Sequence, residues 1–155
     1  MNSARNVLLV EDNRSDIQLT LHIIIAEKNA ADRVYVARDG EQTIDCIFGR
    51  GQYERDPRPV FALVLLDLKL PKVSGFEVLK EIKSNPITKA LPVVVLSSSR
   101  QLSDVDTSYE LGANGYVQKP VAFEELQEAI RCITKYWLDV NLAPSNAMFK
   151  DSVRE

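Results

Sequence analysis

Several polar residues stand out because each follows a run of apolar ones. Glu11 and Asp12 follow Asn6–Val10, Asp67 follows Phe61–Leu66, and Ser97, Ser98 and Ser99 follow Pro92–Leu96. Lys119 and Pro120 lie just beyond the short Gly115–Val117 stretch. Three acids, a hydroxyl and one ammonium gathered at one edge suit a hard divalent cation. Crowded carboxylates repel, and one of them tends to hold a proton unless a cation relieves the set. Mg2+ takes oxygen ligands and keeps several waters, so two acids and a backbone carbonyl suffice. A carboxylate beside such an ion can act as a nucleophile toward a phosphoryl group. The equatorial oxygens of that group need neutralising, and Lys119 and the Ser97 hydroxyl can share that task with the metal. Any one polar residue at a strand end is explained by wet loops; the ordered set argues for chemistry.

Zinc is a poor fit, because no His or Cys accompanies these acids. His22 falls inside the first expected helix and reads as a packing or surface residue. Cys46 and Cys132 stand singly, without metal-ligand spacing, and read as buried or half-buried thiols.

The elements that must position these groups alternate in type. Strands are expected at Asn6–Val10, Val34–Ala37, Phe61–Leu66, Pro92–Leu96 and Gly115–Val117. Helices are expected at Arg14–Lys28, with Ile17, Leu21, Ile24 and Ile25 on the apolar face, and at Glu41–Phe48, Gly75–Ser84, Ser103–Leu111 and Phe123–Leu138. Gly49–Pro59 reads as a loop from its Gly, Pro and charge content. Strands alternating with helices predict an α/β fold, a doubly wound five-stranded parallel sheet. Its strands should be buried on both faces. In such sheets sites form beyond the carboxyl ends of the strands, where the acids, Ser97 and Lys119 fall.

The chain has 155 residues, 45% of them hydrophobic and 26% charged, enough for one sizeable core. The net charge of −3 leaves no basic footprint for nucleic acid. The apolar stretches are too short to span a bilayer and no secretion signal is evident, so a cytoplasmic protein without membrane partner is expected.

The motifs LLVEDN (Leu8–Asn13), LLDLKLPKVSG (Leu65–Gly75), LPVVVLSSS (Leu91–Ser99) and GYVQKP (Gly115–Pro120), in this order, resemble the receiver domain of two-component response regulators. The resemblance implies a (βα)5 flavodoxin-like receiver fold and a role for each matching position. Asp67 stands at the phosphoacceptor position. Glu11 and Asp12 match the acidic pair, Asp12 being the more direct metal ligand, and Lys69 would offer its backbone carbonyl to Mg2+ or Mn2+. Ser97 matches the switch hydroxyl, Tyr116 the switch aromatic, Lys119 the family lysine and Pro120 its cis-proline partner. Lys69 and Ser99 flank positions that tune dephosphorylation in that family. The donor would be a sensor histidine kinase or phosphorelay protein, and output would be a changed protein-interaction face.

Residues 1–138 read as the receiver and 139–155 as a C-terminal extension, partly disordered and too short for a DNA-binding domain. The long loop before the third strand, the serine run and the ending YWLDVNLAP (Tyr136–Pro144) resemble regulators that partner cyanobacterial phytochromes and bacteriophytochromes. That resemblance implies a homodimer through the last helix and extension, where Leu138, Val140 and Leu142 alternate. Three other readings compete. An aspartate-nucleophile phosphohydrolase would need a second aspartate where Lys69 stands. A flavin carrier would need a phosphate cradle where Glu11 and Asp12 would repel phosphate. A phosphate-independent receiver-like adaptor would work through its dimer face alone.

Overall fold

The computed structural model describes residues 5–27, 31, 33–54 and 59–144. Five strands alternate with five helices: β1 Asn6–Val10, α1 Arg14–Ala26, β2 Arg33–Ala37, α2 Gly40–Phe48, β3 Phe61–Leu66, α3 Gly75–Ser84, β4 Val93–Ser97, α4 Leu102–Glu110, β5 Gly115–Gln118 and α5 Phe123–Thr134. All pairings are parallel, in the order β2-β1-β3-β4-β5. The order reverses between β1 and β3, which opens a crevice at their carboxyl ends.

Strand periodicity sorts the core into two layers. Leu8, Val10, Val64, Leu66, Val93 and Val95 face the layer of α2 and α3, with Phe61, Val78, Leu79 and Ile82. Val7, Leu9, Leu63, Leu65, Val94 and Leu96 face the layer of α1 and α5, with Ile17, Ile24, Leu126 and Ile130. Each such side chain contributes roughly 1.5–3 kcal/mol on burial. The central strands β1, β3 and β4 are buried almost throughout. The edge strands β2 and β5 are only half-buried, so the expectation of burial on both faces holds for the central three.

Several expected boundaries move. Ser97 closes β4 instead of following it. A 3₁₀ turn at Gly51–Tyr53 interrupts the loop before β3. Helix α1 ends at Ala26, and Lys28 lies outside the described residues. Its core face is Ile17, Thr20, Ile23 and Ile24, whereas Ile25 is 73% exposed. At 3.6 residues per turn Ile25 lies about 100° beyond Ile24, past the edge of the buried stripe. Phe123 at the start of α5 is partly exposed, and Cys132 is exposed while Cys46 is buried.

The last helix is α-helical only to Thr134 and then widens into a π-helical turn, Lys135–Val140. Within that turn Trp137 and Leu138 pack on the α1/α5 layer, so Leu138 is not part of a free arm. Arg5 pairs with Asp139 at 2.6 Å, tying the turn to the start of β1. Residues 145–155 of the extension lie outside the described residues.

Candidate functional site

The ladder of the sheet runs one residue past three of its strands, and those residues are the chemically interesting ones. The Glu11 amide donates to the Ala37 carbonyl at 3.0 Å, the Asp67 amide to Val10 at 3.0 Å, and the Lys119 amide to Ser97 at 2.7 Å. Each backbone is therefore fixed by its neighbouring strand, and each side chain is presented at the crevice. Glu11 and Asp67 are buried, with residue exposures of 5% and 9%. Asp12 is exposed at the rim.

The turn after Asp67 is braced twice. A Cβ on Gly75 would stand 2.5 Å from Leu68 Cα and 2.6 Å from the Asp67 carbonyl oxygen, so only glycine lets α3 start this close. Its amide donates to the Leu68 carbonyl at 3.0 Å. From the other side, Gly40 at the start of α2 lies against Val73, and its amide donates to the Pro71 carbonyl at 3.4 Å. Between these braces Lys72 adopts φ +66°, a left-handed conformation that few non-glycine residues take. Gly75 itself has no positive φ, so close packing is what it serves.

Lys119 Nζ is the centre of charge. It donates to Glu11 Oε1 at 2.7 Å and to Asp16 Oδ2 at 3.0 Å, and stands 3.7 Å from Asp67 Oδ2. The other Asp67 oxygen, Oδ1, accepts from the Lys69 amide at 3.3 Å. Burial pushes the Glu11 carboxyl above its ordinary value; the Lys119 hydrogen bond opposes this, and the charge of Asp67 adds to it. Burial on its own would lower the Lys119 ammonium, but the bond to Glu11 and the charges of Asp67 and Glu11 outweigh it and hold its pKa above the usual lysine value.

This balance has a measurable consequence. The folded protein holds the Glu11 proton more tightly than the unfolded chain does, so ionised Glu11 opposes folding at neutral pH. That penalty fades as pH falls through the raised pKa toward the ordinary 4.5. Glu11→Gln is expected to raise Tm at pH 7–8 in chelator-treated buffer, with the gap from the parent closing toward pH 4.5. An equal or lower Tm at pH 8 would contradict the sign.

Ser97 is fully buried, and its Oγ accepts from the Ser99 amide at 3.2 Å. The half-buried Tyr116 phenol donates to the Ser99 carbonyl at 2.9 Å. Ser99 Oγ in turn donates to Asp104 Oδ2 on α4 at 2.5 Å and accepts from the Gln101 amide at 3.3 Å. With the Gln118 amide oxygen turned toward it, Arg100 adds bonds of 2.8 and 3.1 Å from the same loop to β5. The loop from β4 to α4 is thus tied to β5 and α4 through Ser99.

The structure brings together Glu11, Asp67 and Lys119, and it sets Ser97 and Tyr116 on a common partner. Sequence reasoning missed Asp16 and Gly40 and gave Ser99 no contacts. Asp16 had one legible signal: it lies four residues after Asp12, in the first turn of α1. Among the described residues no three carboxylate, thiol or imidazole groups stand as a ready metal cage. The donor set still suits a hard cation that keeps its waters. One ammonium serves three contacting carboxylates, and burial together with Asp67 already strains the charge on Glu11.

A doubly wound parallel sheet with an acid-lined crevice, a strand-end aspartate and a facing lysine defines a receiver. Residues 7–131 match the response regulator receiver domain, and the chain belongs to that family. Response regulator Rcp1 of Synechocystis sp. is 38% identical over 144 residues, 93% of this chain and 96% of that protein. A Mn2+-bound form of Rcp1 superposes with a TM-score of 0.83 at 37% identity, over 91% of this chain and 99% of that one. The phosphorylated cyanobacterial phytochrome response regulator RcpA gives 0.85 at 38% identity, covering 92% of this chain and all of that one. The bacteriophytochrome response regulator AtBRR is 43% identical, with a TM-score of 0.72 and coverage of 94% and 99%. The protein is a response regulator, a signalling protein homologous to phytochrome response regulators, and no helix among the described residues is long and apolar enough to cross a membrane.

Proposed function

We propose that this response regulator accepts a phosphoryl group on Asp67 from a histidine kinase. The observation that carries the reading is the placement of Asp67 on a ladder-fixed backbone at the switch crevice, faced by Lys119. An Asp67 carboxylate oxygen attacks phosphorus in line, an acyl phosphate forms, the P–N bond of phosphohistidine breaks, and the leaving imidazole takes up a proton. Lys119 shifts from its carboxylate partners to a phosphoryl oxygen. Glu11, Asp12, Asp67 and the Lys69 backbone carbonyl are the groups that would hold Mg2+ or Mn2+, which would supply further charge neutralisation.

The signal leaves through the Ser99 hub. The new dianion draws the Ser97 hydroxyl from the Ser99 amide, and the tie among Ser99, Tyr116 and Asp104 readjusts the α4–β5–α5 face. The adaptor that ignores phosphate is the less favoured reading, since every position of the phosphoryl site is filled. Acetyl phosphate with Mg2+ should give one phosphoryl adduct in intact mass spectrometry, and none once the cation is chelated. An adduct of equal yield in chelator would remove the metal from the reading.

The partner we assign is a phytochrome-type histidine kinase, supported by the phytochrome response regulators among the relatives. We also assign a homodimer that uses the end of α5 and the extension, residues 139–155 beyond the receiver. Tyr136, Val140 and Leu142 expose apolar surface there, Leu142 to 92%. The full chain should sediment as a dimer at micromolar concentration, and Val140→Asp with Leu142→Asp should give a folded monomer. A parent protein that stays monomeric would refute this.

A further inference from the structure

Asp16 invites a plain structural explanation, and the geometry does not support it. The spacing Asn13-x-x-Asp16 fits a capping box, in which the later acid reaches back to the N-cap amide. Half of that box is made, since Asn13 Oδ1 accepts from the Asp16 amide at 3.0 Å. The other half is not. The Asn13 amide donates to Glu11 Oε2 at 3.1 Å. The Asp16 carboxylate turns instead to Lys119, whose Nζ donates to Oδ2 at 3.0 Å, across 103 positions of chain.

Lys119 is therefore closer to Glu11 and Asp16 than to Asp67, which at 3.7 Å lies beyond hydrogen-bond reach. The two holding carboxylates differ. Glu11 is buried, with a side chain 6% exposed, whereas the Asp16 side chain is 38% exposed. Removing the Asp16 charge leaves the buried Lys119–Glu11 pair intact and leaves the helix cap in place, because the cap uses only the Asp16 backbone. A phosphoryl group brings about −1.5 to −2 charges and competes with Asp16 for the ammonium.

We propose that Asp16 is a positioning residue that holds Lys119 back from Asp67 in the unphosphorylated protein and so restrains phosphoryl acceptance. This rests on the reading of Asp67 as acceptor. Loss of the Asp16 charge then speeds acceptance, and it does so only while Lys119 is present. An ion pair of this exposure supports a gain of about two- to fivefold.

The test follows adduct formation with time by intact mass spectrometry, on the full chain with Mg2+ and acetyl phosphate. It compares the parent, Asp16→Asn, Asp16→Ala, Lys119→Met, Asp16→Asn with Lys119→Met, and Asp67→Asn; thermal unfolding checks that each is folded. The expected result is faster acceptance in both Asp16 variants and no gain from Asp16→Asn in the Lys119→Met background. Loss of measurable acceptance in both Lys119→Met proteins also counts as no gain. Unchanged or slower acceptance in both Asp16 variants would overturn the proposal. So would a gain that persists without Lys119, since simple relief of repulsion on an anionic donor would produce that. No adduct on the parent would overturn the acceptor reading itself, and this inference would fall with it.

Discussion

Asp67→Asn is expected to form no phosphoryl adduct from acetyl phosphate or a phosphohistidine donor, under conditions where the parent is labelled. An amide oxygen is not a nucleophile of the required strength, and the substitution keeps the shape of the side chain. The neighbouring contacts show that the loss would not come from unfolding. Asp67 stands 3.7 Å from Lys119, which keeps its closer bonds to Glu11 and Asp16. The charge of Asp67 also pushes the buried Glu11 upward, so its removal relieves a repulsion. The variant also loses the weaker attraction of Asp67 for Lys119, so the two effects oppose and its Tm should stay close to that of the parent. A variant that is folded and still labelled to the same extent would show that the acceptor lies elsewhere.

Gly75→Ala is expected to damage both stability and the site, because it adds a methyl group directly behind Asp67. Its Cβ would meet Leu68 Cα at 2.5 Å and the Asp67 carbonyl oxygen at 2.6 Å, and both are backbone atoms that cannot rotate away. Overpacking of this kind costs about 1–3 kcal/mol and occasionally more, a large share of a stability of roughly 5–15 kcal/mol. The chain must open between β3 and α3, which moves Asp67. Misplacement of a reacting group by about 1 Å can cost on the order of 10²-fold in rate. Urea unfolding should show a lower midpoint, and acceptance by the folded fraction should fall by about 10- to 100-fold. Parent-like acceptance would mean that the turn tolerates the shift without moving the carboxylate.

The ordered motifs were enough to define the fold, because each central strand is a continuous apolar run that ends at a polar residue. A parallel sheet buries both faces of such strands, so a sequence such as FALVLLD leaves little alternative. Glu11, Asp67 and Lys119 were legible for the same reason: strand ends are one place in an α/β chain where linear position maps directly onto location. Helix faces were less legible. Ile25 looks like core by composition, yet it lies past the buried stripe of α1. The last helix looks continuous to Leu138, yet the ladder widens after Thr134, where Trp137 and Leu138 pack on the α1/α5 layer.

By itself the sequence determined the order of the polar residues at the strand ends, the acidic character of the crevice and the identity of its ammonium. Only the tertiary structure decided which carboxylates that ammonium serves. The Lys119–Asp16 bond joins α1 to the end of β5, and no local rule foresees it, because each residue also has an adequate explanation in its own segment. The same holds for the Tyr116–Ser99 bond and for Gly40 under Val73. Local sequence governs backbone propensity and burial period, whereas the choice among several acceptors depends on distances set by the packing of distant elements.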